Sequence, residues 1–191
     1  KCDEEIILIS RAIKFFEKKL KAFLFLNYEI KKIYKLNKGF KINNEIFELV
    51  VDCTGCSIDF VKKENFTYEY CAVFLYKKKF NSTKNIALTI MDGPFYTLFP
   101  WSDKNEFGLY SVKHSRIKKS KNLKILNKNI KKTSKVFFNE NRIKIEQNFK
   151  KYYPNFKKEF IFKKNLLSKR TIIENKFDHR ICNVKNNNGI I

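Results

Sequence analysis

ELVVDCTGCSIDF, residues 48–60, joins an apolar run to two cysteines and a small-residue turn. The run Leu49-Val50-Val51 ends a strand expected over 46–51, and it predicts burial on both faces, as in the central strand of a covered sheet. Cys53 and Cys56 have the spacing of half a zinc site or of a redox dithiol. Thr54-Gly55 is typical of a plain turn, or of a backbone that approaches a nucleotide cofactor closely.

The two cysteine chemistries lack their usual companions. A structural zinc site takes four ligands, but the sequence has no second Cys-x-x-Cys, and His114 and His179 lie far away along the chain. A redox dithiol normally opens a helix, and the residues after Cys56 show no helical stripe. We therefore expect no metal, and the plain turn and the cofactor turn remain open.

The spacing of apolar residues before and after this stretch predicts an α+β fold. Apolar residues recur every three or four positions over 3–21, which predicts an amphipathic helix. Short apolar segments separated by NKG and NN turns predict a β-meander over 22–54. An antiparallel sheet of about four strands should follow, then a helix and further strands. The predicted elements are strands over 66–78 and 84–91, a hairpin of 94–101 with 106–114, a helix from Thr133 or Ser134 to about Tyr152, and strands in EFIFKKNLLSKRTIIE and HRICNV.

The charge is strongly positive, and it comes mainly from lysine. The net charge is +22, yet only five of the 41 basic residues are arginine, the usual reader of bases and phosphates. Lys, Asn, Ile and Phe are all abundant and share AT-rich codons, so genome composition explains much of the charge. The Lys-rich segment 113–135 is expected to be a solvated loop or boundary. The alternative is a nucleic-acid-binding module that uses this segment.

The remaining sequence features favour a cytoplasmic setting. Five cysteines without framework spacing are typical of reduced thiols, and no signal peptide or membrane-spanning apolar run is present. The chain starts with Lys1 rather than Met, and the turn signal Asn188-Gly189 is followed by only two residues. We therefore expect part of a longer protein.

Three segments resemble a flavoprotein family. VVDCTGC, 50–56, resembles the Ala-Thr-Gly strand end of flavoproteins with two dinucleotide motifs. NIALTIMDGPFYTLFPWSDKNEFGLYSVKHS, 85–115, resembles the substrate-domain hairpin of the FAD-dependent D-amino-acid oxidase and glycine oxidase family. ENKFDHRICNVKNNNGII, 174–191, resembles the stretch before that family's last return to the flavin. The resemblance is closest to oxidoreductases encoded beside bacterial surface-polysaccharide genes.

The resemblance implies a central part of such a protein. The family's opening Gly-x-Gly-x-x-Gly loop and its C-terminal segment are absent, and Cys53 stands where alanine is commoner. By this resemblance, 1–60 is the end of a FAD-binding domain and 61–191 is a substrate-binding domain. The whole protein would oxidise a C–N bond of an amine or amino acid, or a C–O bond, by hydride transfer to the flavin. This part alone would be inactive.

The resemblance also implies roles for individual residues. The flavin cofactor FAD would meet the backbone of Cys53, Thr54 and Gly55. Arg180 would clamp a substrate carboxylate with two parallel hydrogen bonds. The hairpin residues Tyr96, Phe99 and Tyr110 would face the flavin and the substrate, although alternation sends Tyr96 and Phe99 to different faces. Apart from the resemblance, His114 ends the returning strand, and its imidazole, which can titrate near neutrality, is a candidate to orient the substrate. The expected partner is a small-molecule substrate, with no nucleic acid and no membrane.

Overall fold

The structure is a computed structural model that describes residues 7–54, 66–79, 86–101 and 105–173. Its first element is helix α1, Ile9–Leu20, followed by a 3-10 turn, Lys21–Phe23. The amphipathic helix predicted from the sequence is thus confirmed over its described part. The side chains of Ile9, Ile13, Phe16 and Leu20 on its apolar face are 45–63% exposed.

A small three-stranded sheet follows α1. Its strands are β1, Ile33–Lys35, β2, Phe40–Ile42, and β3, Glu45–Phe47, paired antiparallel in sequence order. The β2–β3 turn takes Asn43 to φ 51°, and the β1–β2 turn takes Gly39 to φ 87°. A Cβ at Gly39 would lie 2.3 Å from the Phe47 carbonyl oxygen, so only glycine fits there. The predicted β-meander is confirmed.

The buried central strand predicted over 46–51 is wrong. Strand β3 ends at Phe47 and is an edge strand of the small sheet. The side chains of Leu49 and Val51 are 51% and 58% exposed. An apolar run is buried on both faces only where other layers cover it, which the run itself does not determine.

The larger sheet is antiparallel and is built around one long central strand. Its strands are β4, Phe66–Lys78, β5, Leu88–Ile90, β6, Tyr96–Pro100, β7, Glu106–Ser111, β8, Arg116–Ser120, and β9, Phe160–Ile173. The order is β5-β6-β7-β4-β8, and β9 pairs with β4 over 66–78. Because β9 takes one edge of β4, strands β7 and β8 pair with successive parts of the other edge. The predicted sheet and its β6–β7 hairpin are confirmed.

The Lys-rich segment 113–135 is not a loop. It contains strand β8 and helix α2, Leu123–Lys131. Ile117 and Leu126 are buried anchors between exposed lysines, and the Asn122 side chain caps α2 by accepting a hydrogen bond from the Ile125 N–H at 3.1 Å. One buried residue per element is a weak periodic signal, which is why the pattern suggested solvated chain.

The last elements complete the cover of the sheet. Helix α3, Lys135–Phe149, begins at the predicted cap, where Ser134 Oγ accepts from the Phe137 N–H at 3.2 Å. The short helix α4, Phe156–Glu159, leads into β9. On α3, Phe149 is fully buried and Ile143 is half-buried. The HRICNV strand expected over 179–184 lies outside the described residues.

The register divides the side chains of the larger sheet between two faces. The helix-covered face carries Phe74, Tyr76, Leu98 and Leu109, which form the core with Ile145 and Phe149 of α3 and Phe156 of α4. The opposite face carries Glu69, Cys71, Val73, Phe99 and Tyr110. On that face the Phe99 ring covers Gly108, since a Cβ there would lie 2.7 Å from Phe99 Cζ.

Candidate functional site

A buried carboxylate holds two arginines on the opposite face. Glu69 of β4 is 0% exposed, and its Oε2 accepts hydrogen bonds from Arg170 Nη2 at 2.8 Å and Nε at 3.0 Å. Arg116 Nε of β8 lies 2.9 Å from Glu69 Oε1 without hydrogen-bond alignment, so that contact is electrostatic. Both arginine side chains are partly exposed, at 41% for Arg170 and 48% for Arg116. Two cations around one anion leave a net positive charge.

Tyr110 and Cys71 lie beside these charges. The Tyr110 hydroxyl accepts a hydrogen bond from Arg170 Nη1 at 3.5 Å. Burial raises the pKa of Tyr110, and burial also raises the pKa of the Cys71 thiol against the lowering effect of Arg170. Both groups are therefore protonated and neutral near pH 7. They add hydrogen-bonding capacity but no negative charge, which suits an anionic ligand.

A cavity of about 490 Å³ adjoins this cluster at Arg116. Gly93 and Pro94 form one wall, from the turn between β5 and β6. Val112 and Lys113, from the turn between β7 and β8, form another. The cavity is largely open to solvent, and its volume lies within the range of small-molecule sites.

The predicted hairpin residues separate between the two faces. Phe99 and Tyr110 share the opposite face, and Phe99 packs on Trp101 with ring centroids 5.8 Å apart. Tyr96 points the other way into the core, where its ring lies 6.0 Å from Phe149 and 5.9 Å from Tyr152. The structure therefore brings Phe99 and Tyr110 together and leaves Tyr96 apart from them.

His114 lies in the turn after β7 and is half-buried. Burial lowers its pKa, and the positive charges of Lys113 and of Lys144 on α3 lower it further. Lys144 belongs to α3, so part of the charge that acts on His114 comes from the helix-covered side of the sheet. An imidazole with a lowered pKa is neutral at pH 7.

Replacing Lys144 with glutamine is expected to raise the pKa of His114, because the change removes a charge that disfavours the imidazolium. Burial is unchanged, so the pKa should stay below the usual 6.5. An NMR titration of the imidazole protons measures it. Lys128→Gln, an equal change of charge on α2, should leave the pKa as it is. An unaltered pKa in Lys144→Gln contradicts the assignment.

The predicted cofactor residues are described only in part. Cys53 and Thr54 are exposed, and the Thr54 N–H donates to Asp52 Oδ1 at 2.8 Å. Gly55, Cys56 and Arg180 lie outside the described residues. Asp52 is half-buried and lies beyond the end of β3, and its carboxylate already holds the Thr54 N–H, which is therefore unavailable to a phosphate.

The arginine cluster is the part of the site that the sequence interpretation missed. Glu69 is an acid inside a long apolar strand, and Arg116 and Arg170 are two of only five arginines. These are the signals that single them out. They did not show that the three side chains meet, because Glu69 and Arg170 are 101 positions apart.

Two other site classes find no support in the part of the chain that the structure describes. There, no group of three or more His, Cys, Asp or Glu side chains is placed to hold a metal ion. None of the helices described has the length and apolarity needed to cross a membrane.

One curated protein is similar in sequence. The FAD-dependent monooxygenase FPY4 of Fusarium mangiferae is 30% identical over 113 residues, which are 59% of this chain and 29% of that protein. The chain thus spans under a third of the relative. This relative is fungal, so it gives no support to the bacterial element of the resemblance. No family model matches the chain, and no solved structure matches it.

Proposed function

We propose that this chain is part of a FAD-dependent oxidoreductase and that the larger sheet is its substrate-binding domain. The observation that carries the proposal is the similarity to a FAD-dependent monooxygenase over 113 residues. The architecture supports it. Helices cover one face of the sheet, and the other face presents aromatic, hydroxyl and guanidinium groups beside a cavity.

The finer proposal is oxidation of a C–N or C–O bond in a small substrate. Bound FAD supplies the redox chemistry by accepting a hydride from the substrate carbon. The residues of this chain would bind and orient that substrate. Phe99 and Trp101 would offer the substrate an apolar surface, and Arg170 donates a hydrogen bond to the Tyr110 hydroxyl. The positive cluster around Glu69 would favour the negative charge that a flavin gains on reduction.

The test is the flavin content and reactivity of the full-length protein. We expect it to purify yellow and to release FAD on denaturation. A panel of amines, amino acids and alcohols should include a compound that bleaches the flavin without oxygen. A folded, colourless protein that takes up no added FAD contradicts the proposal.

The name of the fungal relative favours a second reaction, the insertion of one oxygen atom. The two reactions differ in the fate of molecular oxygen. With labelled O₂, an oxidase leaves the label in hydrogen peroxide, whereas a monooxygenase places one labelled atom in the product. Label in the product would replace bond oxidation by oxygenation and would keep the flavin assignment.

A further inference from the structure

We infer that the cavity between the β5–β6 turn and the β7–β8 turn binds a small organic anion, a carboxylate or a phosphate ester. The described residues that line it are Gly93, Pro94, Val112, Lys113 and Arg116. Two of them are cations and none is an acid. This inference rests on the geometry of the cavity and does not depend on the flavin.

The cation at the cavity is held in place. Glu69 is fully buried and lies 2.9 Å from Arg116 Nε, which is the inner nitrogen of the guanidinium. Among the described residues Arg116 makes no other ion pair or side-chain hydrogen bond. Its two terminal nitrogens are therefore the groups left to meet a ligand. A planar guanidinium fixed at one edge offers two parallel donors, which match the two oxygens of a carboxylate or phosphate.

The two turns that form the walls are tied to each other. Ser111 Oγ donates to the Pro94 carbonyl at 3.0 Å, and the Val112 N–H donates to the Phe95 carbonyl at 3.1 Å. Ser115 closes the second turn, since its Oγ accepts from the Ser111 N–H at 2.9 Å. Both serines are fully buried. Walls joined in this way keep their shape without a ligand, as a pre-organised site requires.

The backbone of the first turn is in an uncommon conformation. Phe95 has φ 48°, which bulky side chains rarely adopt, and Gly93 has φ 68°. A Cβ at Gly93 would meet nothing within 4 Å, so the space beside this residue is open. Such conformations persist where the surroundings enforce them, and they concentrate at ligand sites.

The composition of the cavity indicates the class of ligand. Pro94 and Val112 offer apolar surface, while Lys113 and Arg116 offer charge. A volume of about 490 Å³ exceeds what an inorganic ion needs and suits a molecule with an apolar body and one acidic group. Carboxylate and phosphate share this chemistry, and separate probes distinguish them.

Thermal unfolding of the full-length protein tests the site. We expect acetate or inorganic phosphate to raise the melting temperature at constant ionic strength, because a ligand that binds only the folded state stabilises it. Acetamide, which is neutral, should have no effect. The larger of the two responses identifies the class of anion.

Variants of the full-length protein locate the binding. Lys113→Gln and Arg116→Gln should each lower the affinity for the anion by about tenfold, as expected when one charge-assisted hydrogen bond is lost. Lys128→Gln removes an equal charge from α2 and should keep the wild-type response. Lys113 makes no ion pair among the described residues, so its variant stays informative if Arg116→Gln unfolds. Equal responses in wild type, Lys113→Gln and Lys128→Gln, or no response to either anion, overturn the inference.

Discussion

Phe149→Ala is expected to lower the free energy of unfolding by about 3–5 kcal/mol, the usual cost of removing a buried aromatic ring. Phe149 is the last residue of α3 and is fully buried. Its ring meets Phe156 edge to face at 5.3 Å, stacks on Tyr153 at 6.3 Å and lies 6.0 Å from Tyr96. One truncation therefore opens a cavity among α3, α4 and β6. Urea denaturation of the full-length protein, followed by circular dichroism, measures the loss.

The control is the same substitution at an exposed ring. Phe25 is 73% exposed and contacts only one described ring, Tyr28, at 6.2 Å. Phe25→Ala should change the free energy of unfolding by no more than about 0.5 kcal/mol. Phe149→Leu, which retains most of the buried volume, should fall between the two. Equal losses at positions 25 and 149 would contradict the packing described for the core.

The sequence predicts the larger sheet well because its signals are local. Strand β6 alternates, and the structure places Tyr96 and Leu98 on the helix-covered face and Phe99 on the other. The start of α3 is equally local, since the Ser134 cap precedes a helical run and its bond joins residues three apart. Signals that act within a few residues are visible in one sequence.

The predictions that are wrong concern whether another part of the protein covers a segment. Leu49-Val50-Val51 is apolar, yet Leu49 and Val51 are exposed, because hydrophobicity does not specify a covering layer. The segment 113–135 is rich in lysine, yet it folds, because Ile117 and Leu126 each find a buried position between lysines that stay in solvent. Tertiary context decided both cases.

The candidate site could be predicted only in pieces. The hairpin pattern predicts Tyr110, which lies beside Arg170. The pairing of β4 with β8 and β9 is what brings Glu69, Arg116 and Arg170 together. The pairing of strands that lie about a hundred residues apart leaves no signal in the local sequence. The roles of Cys53, Thr54, Gly55 and Arg180 remain predictions, and the flavin content of the full-length protein tests the cofactor on which they depend.

Glu69 sets the geometry of the arginine cluster. The substitution Glu69→Gln removes its negative charge and so tests this role. In Glu69→Gln an acceptor oxygen remains, but Arg116 and Arg170 lose the anion between them and repel each other. Losing one partner of a buried ion pair typically costs about 3–5 kcal/mol. Both arginines are partly exposed and recover hydration, so we expect a loss of about 2–3 kcal/mol in the free energy of unfolding.

A double-mutant cycle with Arg170→Gln separates this interaction from general damage. If the pair carries the effect, the double variant should be more stable than the sum of the two single losses predicts, by at least about 1 kcal/mol. Glu29→Gln is the matched control, because Glu29 lies 4.0 Å from Lys31 and both side chains are exposed, so the expected change is close to zero. Strict additivity between positions 69 and 170 would mean that the buried carboxylate does not hold the Arg170 guanidinium in place.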